Sequence, residues 1–269
     1  MRIYIPTFRR VDNQITFDNI PDKIKENVIM VVQEQERDEH KYDCEYLVVG
    51  DNIGIAKTRE IIYHHAGKTK FGMIDDDVRL HRRNTKYYNE KPNMEKSKRI
   101  MTVEDWEYWF SLVNTFFEEP DIMHIGNREE ALPPYGEQYY CNSVILAVHW
   151  IDGNKLSTFI DEVDWNLAKT GEDSVLILEC LLRGYKNLVF DEVVMSRWAT
   201  AYAKGGCSEI RTSVSDEEEH MKILKKYPYC VKLGGYEEYK NIGRMRKFKI
   251  DWKSAYKYSQ FKGTLKEFL

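Results

Sequence analysis

Residues 71–83 read FGMIDDDVRLHRR: an apolar segment, three consecutive aspartates, then a basic stretch. A buried strand that delivers charge to its carboxyl end is the arrangement of open α/β sheets, whose ligands bind outside those ends. Strand alternation sends Asp75 and Asp77 to one side and Asp76 to the other, so the first and third are expected to face one ion. Carboxylates so close repel and take up protons unless a cation offsets their charge. Oxygen-only donors favour Mg2+ or Mn2+, which keeps waters and completes its shell with substrate phosphates. The plainer alternative is a solvated acidic loop that caps the following turn.

Upstream, RIYIP (2–6), VIMVVQ (28–33) and EYLVVG (45–50) read as strands, the first opening into a loop, TFRRVDNQITFDNIPDK. In GIAKTREIIYHHAG (54–67), Ile55, Ala56, Arg59, Ile62 and Tyr63 recur at helical spacing and Gly67 can end the helix. Strands broken by a crossover helix predict an α/β fold. Downstream, 79–99 carries eight Lys/Arg against two Glu without steady periodicity and is expected to be an exposed loop. TVEDWEYWFSLVNTFFEE (102–119) opens with Thr102 and Asp105 in capping-box spacing and continues as a helix. DIMHIG (121–126) reads as a short strand, REEALPPYGEQYY (128–140) as a loop, and CNSVILAVHW (141–150) and KNLVFDEVVM (186–195) as strands.

A second acidic pair opens GEDSVLILECLLRGY (171–185), expected to be an amphipathic helix. Carboxylates in a first helical turn are favoured by the macrodipole, so capping alone would account for them. The functional alternative is a base that takes the proton of an acceptor hydroxyl, with Asp173 the first candidate and Glu172 the second.

The whole chain bounds these readings. Its 269 residues are 42% hydrophobic and 31% charged, with a formal charge of −4, 18 Tyr and 6 Trp, enough for a large α/β core. The longest apolar runs, such as VIMVV and SVILAV, are far too short to cross a bilayer, and the start MRIYIPTFRR lacks the apolar stretch of a signal peptide. Five scattered cysteines show no zinc or redox spacing, and a reducing cytoplasm is the expected setting. GxxxxGK[ST] and GxGxxG are both missing, which disfavours P-loop and dinucleotide chemistry. His64, His65, His124 and His149 read as surface or core residues, and Trp150, Trp165 and Trp198 could stack on a sugar or base. From Lys222 to Lys262, 12 Lys/Arg stand against 3 Asp/Glu with aromatics interleaved.

IYIPTFRR, VVQEQE, GDNIGIAKTRE, MIDDDV and GEDSVLILECLLRGY, in that order over roughly residues 1–195, resemble the GT-A fold of nucleotide-sugar glycosyltransferases. The last segment resembles the acidic helix of inverting family-2-like enzymes. The resemblance implies a mixed, mostly parallel sheet flanked by helices over residues 1–200, with a basic, aromatic-rich extension over 201–269 packed on it. It implies Mn2+ or Mg2+ and a nucleoside diphosphate sugar. Pro6, Thr7, Arg9, Gln33 and Glu36 would line the nucleoside pocket, with Lys57, Arg59, Asp75 and Asp76 also contacting the donor. Asp75 and Asp77 would hold the metal, Asp77 being favoured as the direct ligand, and Asp173 would be the base. Arg197-Trp198 matches a QxxRW-like acceptor region only faintly, which speaks against processive polysaccharide synthesis.

The chain is also similar to small phage enzymes, associated with thymine or methylcytosine oxygenases, that glycosylate hydroxymethylated bases in DNA. That likeness implies a DNA acceptor, with the stretches 79–99 and 222–262 as basic surfaces able to steer a polyanion. A nucleotidyltransferase acting on a sugar phosphate and a non-catalytic nucleic-acid-binding protein are the competing readings.

Overall fold

A computed structural model of the protein describes residues 1–83, 98–133, 137–169, 171–197, 213–239 and 243–260. Its first half contains β1 (Arg2–Pro6), the short helices α1 (Ile15–Asn19) and α2 (Asp22–Lys25), β2 (Val28–Gln33), β3 (Glu45–Val49), α3 (Gly54–Ala66) and β4 (Lys70–Ile74). After the aspartates come β5 (Val78–Arg83), β6 (Lys98–Ile100), α4 (Val103–Phe117), β7 (Ile122–Glu129), β8 (Tyr139–Cys141), β9 (Val148–Asp152) and α5 (Gly153–Leu156). Next are α6 (Glu172–Leu182) and β10 (Lys186–Arg197), then α7 (Ser213–Lys226), β11 (Val231–Tyr239), β12 (Gly243–Ile250) and α8 (Trp252–Gln260).

The main sheet runs β3-β2-β1-β4-β9-β7-β10-β5-β6, with β8 also paired to β10. Its first four strands are parallel, β9 lies antiparallel between β4 and β7, and β10 returns parallel to β7. A register shift between Phe190 and Val194 bends β10, so that β8 pairs with its first part and β5 with its second. This is the mixed, mostly parallel sheet with flanking helices expected from the sequence.

Period-two alternation divides the apolar side chains between two layers. Ile3, Ile5, Met30, Val32 and Ile74 meet α1, α2 and α4 on one face; Tyr4, Ile29, Val31, Phe71 and Met73 meet α3, α5 and α6 on the other. Gly72 shows how tightly the first layer closes: a β-carbon there would fall 2.5 Å from the Trp150 indole. Trp150 is fully buried against Trp106 and Trp109, and its Nε1 donates to Asn127 Oδ1 at 2.9 Å. Trp165 is likewise core, its ring 4.8 Å from that of Tyr63. Neither is exposed for stacking on a sugar, and Trp198 lies outside the described residues.

Several boundaries differ from the sequence reading. The opening loop holds α1 and α2, anchored in the core by Phe17 and Ile24. The 79–99 stretch is strand at both ends, as β5 and β6, because residues 78–82 pair with β10 and Val78 and Leu80 are buried in the core; residues 84–97 lie outside the described set. DIMHIG is part of an eight-residue central strand. CNSVILAVHW is not one strand: Asn142 and Ala147 adopt positive φ, and pairing as β9 begins only at Val148. The capping box of α4 forms as expected, with Thr102 N donating to Asp105 Oδ2 at 2.9 Å.

The largest departure concerns α6, which is buried nearly all round instead of amphipathic. One side packs on the sheet; Ile223, Tyr227, Cys230, Val231 and Ala255 from the C-terminal elements belong to the same core. Glu179 is tolerated there because Tyr227 and Arg183 donate to it and Lys226 pairs with it at 3.2 Å. Burial alone would raise this carboxyl, yet those hydrogen bonds hold it below its usual value. No described helix is long and apolar enough to cross a membrane. Cys44, Cys141, Cys180 and Cys230 are free thiols.

Candidate active site

The carboxyl ends of the parallel strands are laced together by the loops that leave them. Beyond β1, Thr7 N donates to Val31 O on β2 at 3.0 Å; beyond β4, Asp75 N donates to Ala147 O at 2.9 Å. Thr16, at the start of α1, clasps the aspartate turn. Its backbone N–H donates to Asp76 O at 3.0 Å, and its hydroxyl accepts from Val78 N at 2.9 Å. The turn is therefore held by its own backbone partners, leaving its side chains to the charges around them.

The three aspartates have different surroundings. Asp76 points inward: Thr7 Oγ1 donates to it at 2.7 Å, Arg10 forms a short ion pair with it, and it is 5% exposed. Gln14 Nε2 in turn donates to Thr7 Oγ1 at 2.7 Å, fixing that hydroxyl. Burial raises the Asp76 carboxyl to about 7, because Arg10 and the Thr7 hydrogen bond only partly offset lost hydration. Asp75 and Asp77 keep 30% and 17% of their side-chain surface and stand beside different cations, Arg59 at 3.1 Å and Arg10 at 3.1 Å. Each ion pair engages one carboxylate oxygen.

The second acidic pair reaches the same place through Arg59. This side chain, buried in α3, pairs with Asp75 through Nη2 at 3.1 Å and with Glu172 through Nη1 at 3.0 Å. One guanidinium cannot neutralise both carboxylates. Burial raises Asp75, with Arg59 opposing and Asp77 adding to the shift, and burial raises Glu172 to about 7 despite Arg59. Arg59 itself is held above its usual value: burial disfavours its charge, but Glu172 and Asp75 more than compensate. Asp173 is half-buried, with Oδ1 accepting from Ser174 N at 2.6 Å. Gly171 makes this turn with φ of 86°, a left-handed value that a side chain would strain.

The residues expected around a nucleoside lie at these strand ends. Pro6 closes β1 against Val31. Arg9 adopts φ of 56°, and its N–H donates to both oxygens of the buried Glu36 carboxylate at 3.0 Å. Gln33 ends β2 and accepts through Oε1 from Asn52 N. Lys57 is not drawn into the group: its Nζ pairs with Glu60 at 2.7 Å, and the side chain is 45% exposed. Among the described residues no three His, Cys, Asp or Glu side chains converge as a metal cage. Asp75 and Asp77 are partly exposed carboxylates of the turn, with oxygen donors only.

Sequence reasoning missed the residues that fix this geometry. Arg10 stands in the sequence as a neighbour of Arg9 in an ordinary basic pair, and nothing in Gln14 or Thr16 announces a clasp. It also missed that His124 and His149, 25 positions apart, stack in the core with Nε2 and Nδ1 3.0 Å apart. Burial, reinforced by Arg59, lowers both imidazoles, His124 to about 3, so the pair is neutral. His65 instead contacts the Tyr4 hydroxyl through Nδ1 at 2.9 Å.

The TET-Associated Glycosyltransferase family model matches residues 1–206. The mannosyltransferase PcManGT from Pyrobaculum calidifontis, solved with GDP-Man and Mn2+, superposes with a TM-score of 0.51 at 12% identity over 83% of this chain. The chain spans 64% of that mannosyltransferase, and at this identity the likeness is one of fold, of the GT-A type. Glucosyl-3-phosphoglycerate synthase from Mycobacterium tuberculosis, solved with Mg2+ and UDP, gives a TM-score of 0.48 at 10% identity, over 94% of this chain and 90% of that one. No curated protein matches in sequence.

Proposed function

As the chain belongs to the TET-associated glycosyltransferase family, we propose that it transfers a sugar, with inversion, from a nucleoside diphosphate donor to a hydroxymethylated pyrimidine in DNA. The observation that carries this reading is Arg59, which joins the aspartates beyond β4 to the acidic turn of α6 through ion pairs of 3.1 and 3.0 Å. Two acidic segments nearly a hundred residues apart are thereby one constellation at the sheet edge.

Asp75 and Asp77 would hold Mn2+ or Mg2+. The fit is chemical: two hard, partly exposed carboxylates suit an ion that is usually bound by one or two carboxylates plus waters and substrate phosphates. Burial, with a smaller push from the Asp77 charge, also raises Asp75, a shift that a bound cation would oppose. When bound, the ion supplies Lewis-acid stabilisation to the departing diphosphate. Pro6, Thr7, Arg9, Gln33 and Glu36 would shape the nucleoside side of the cleft, largely through the backbone that their hydrogen bonds fix.

Asp173 would accept the proton of the acceptor hydroxyl as its oxygen attacks the anomeric carbon from the face opposite the diphosphate. Glu172, committed to Arg59, would position that turn. The family's description and the resemblance to phage enzymes associated with base oxygenases support a hydroxymethylated base as acceptor. We place the reaction in the cytoplasm, where nucleotide sugars and DNA meet.

The test is to incubate the protein and Mn2+ with mixed nucleotide sugars and either hydroxymethylated or unmodified DNA, then measure released nucleoside diphosphate and the masses of the digested nucleosides. A mass gain of one sugar, only with hydroxymethylated DNA, is expected. No transfer to either DNA, with transfer to a small acceptor, would contradict the acceptor assignment; pyrophosphate release from a nucleoside triphosphate would mark nucleotidyl transfer instead.

A further inference from the structure

The C-terminal hairpin β11–β12 lies beyond the residues matched by the family, yet it is fastened to the catalytic turn. Gly171, the cap of α6, has Ile223 Cδ1 and His220 Cδ2 of α7 at 3.2 and 4.0 Å from where a β-carbon would stand. The neighbouring Lys169 N donates to the buried Glu219 carboxylate, also on α7, at 2.6 Å. His220 then stacks on Phe248 of β12, with ring centroids 4.7 Å apart and planes 9° from parallel. A short chain of contacts therefore leads from Glu172 and Asp173 to the hairpin.

Along the hairpin, cross-strand register carries this surface away from the core. Val231 pairs with Ile250 and Leu233 with Phe248; past the bulge, Tyr236 pairs with Arg246 and Glu238 with Arg244. The face thus passes from apolar anchors to an exposed end. Tyr236 is 52% exposed, with the Arg244 and Arg246 guanidinium carbons 4.6 and 5.6 Å from its ring centroid. Both lie within cation–π reach of the ring, and although Arg246 Nε donates to Gly234 O at 3.5 Å, a guanidinium over a ring can still donate from its Nη groups to phosphate oxygens. On the opposite face Lys232 stands directly across from Lys249, a like-charge pair that destabilises a hairpin unless an anion relieves it. Across residues 231–250 six Lys/Arg stand against two Glu, in a chain whose formal charge is −4.

We propose that the β11–β12 hairpin is the docking surface for the phosphodiester backbone of the acceptor, with Arg244, Arg246 and Tyr236 guiding the strand past Asp173. The inference rests on the reading of DNA as acceptor and adds where it is gripped. A polynucleotide fits because its phosphates repeat along a strand, as these cations repeat along the hairpin.

The test compares the full chain with the triple variant Arg244→Ala, Arg246→Ala, Tyr236→Ala. DNA affinity is read by fluorescence anisotropy on a short hydroxymethylated oligonucleotide across a salt series. Transfer is measured to that DNA and to the free hydroxymethylated nucleoside. The variant is expected to bind DNA at least ~10-fold more weakly, with a salt slope reduced by about 0.7–0.9 for each phosphate that is no longer neutralised. Its transfer to the free nucleoside should be unchanged. The double variant Arg244→Lys, Arg246→Lys should recover most of the slope. Wild-type transfer to DNA with an unaltered slope and affinity in the triple variant would overturn the docking surface alone. Absence of DNA binding and transfer in the wild type would overturn the acceptor reading and this inference with it.

Discussion

The two acidic segments invite comparison because each divides its carboxylates in the same way. Beyond β4, Asp76 is locked by Thr7 and Arg10, while Asp75 and Asp77 retain solvent access. At the start of α6, Glu172 is locked by Arg59, while Asp173 remains half-buried. They differ in the lock. Asp76 is held by a loop that serves its own turn, whereas Glu172 is held by a guanidinium that also reaches Asp75. The first lock shapes one loop; the second couples two distant parts of the chain.

The largest effect should follow from breaking that coupling. Arg59→Met leaves the buried Glu172, and the part-exposed Asp75 beside it, without their cation, a change expected to cost about 3–5 kcal/mol of stability. Urea unfolding measures it, and a loss below about 1 kcal/mol would show that the two segments are not coupled through Arg59. The open carboxylate comes next. Asp173→Asn should lower transfer by about 10²–10⁴-fold while donor binding persists, as read by initial rates and calorimetry; undiminished turnover would move the base elsewhere.

The local lock should matter less. Thr7→Val removes one donor from the buried Asp76 carboxylate, with an expected destabilisation of about 1–3 kcal/mol, measurable in the same unfolding experiment. The smallest effect is pH-dependent. Glu172 keeps its proton in the folded state up to about 7, against 4.5 for the unperturbed group. The folded protein then binds more protons than the unfolded chain over that window, so this group's contribution makes stability fall as pH rises through it. Glu172→Gln should flatten that part of the fall; an unchanged slope between those pH values would argue against the buried, proton-retaining state.

The comparison also shows what a sequence can reveal. The aspartate turn was legible because strand, charge and crossover helix follow one another locally, but alternation did not anticipate that Asp76 and Asp77 share Arg10 while Asp75 pairs with Arg59. The acidic start of α6 was legible as a turn but not as a partner of Asp75. The link is a single arginine from a third element, and no spacing encodes it. The burial of α6 was misjudged for a related reason. Its second apolar face is covered by Ile223, Tyr227 and Ala255, which arrive from sequence that reads mainly as basic and aromatic. The broken strand before Val148 turned on local backbone, with positive φ at Asn142 and Ala147 that composition does not announce.

Calorimetric titration of a nucleoside diphosphate sugar into the protein, with and without Mn2+ and repeated on Asp77→Ala, tests the central claim most directly. Tight donor binding is expected only with Mn2+, with a loss of at least about tenfold in the variant, the scale seen when even the supports of metal ligands are removed. Donor binding of equal strength with and without the ion, and untouched by the substitution, would contradict it.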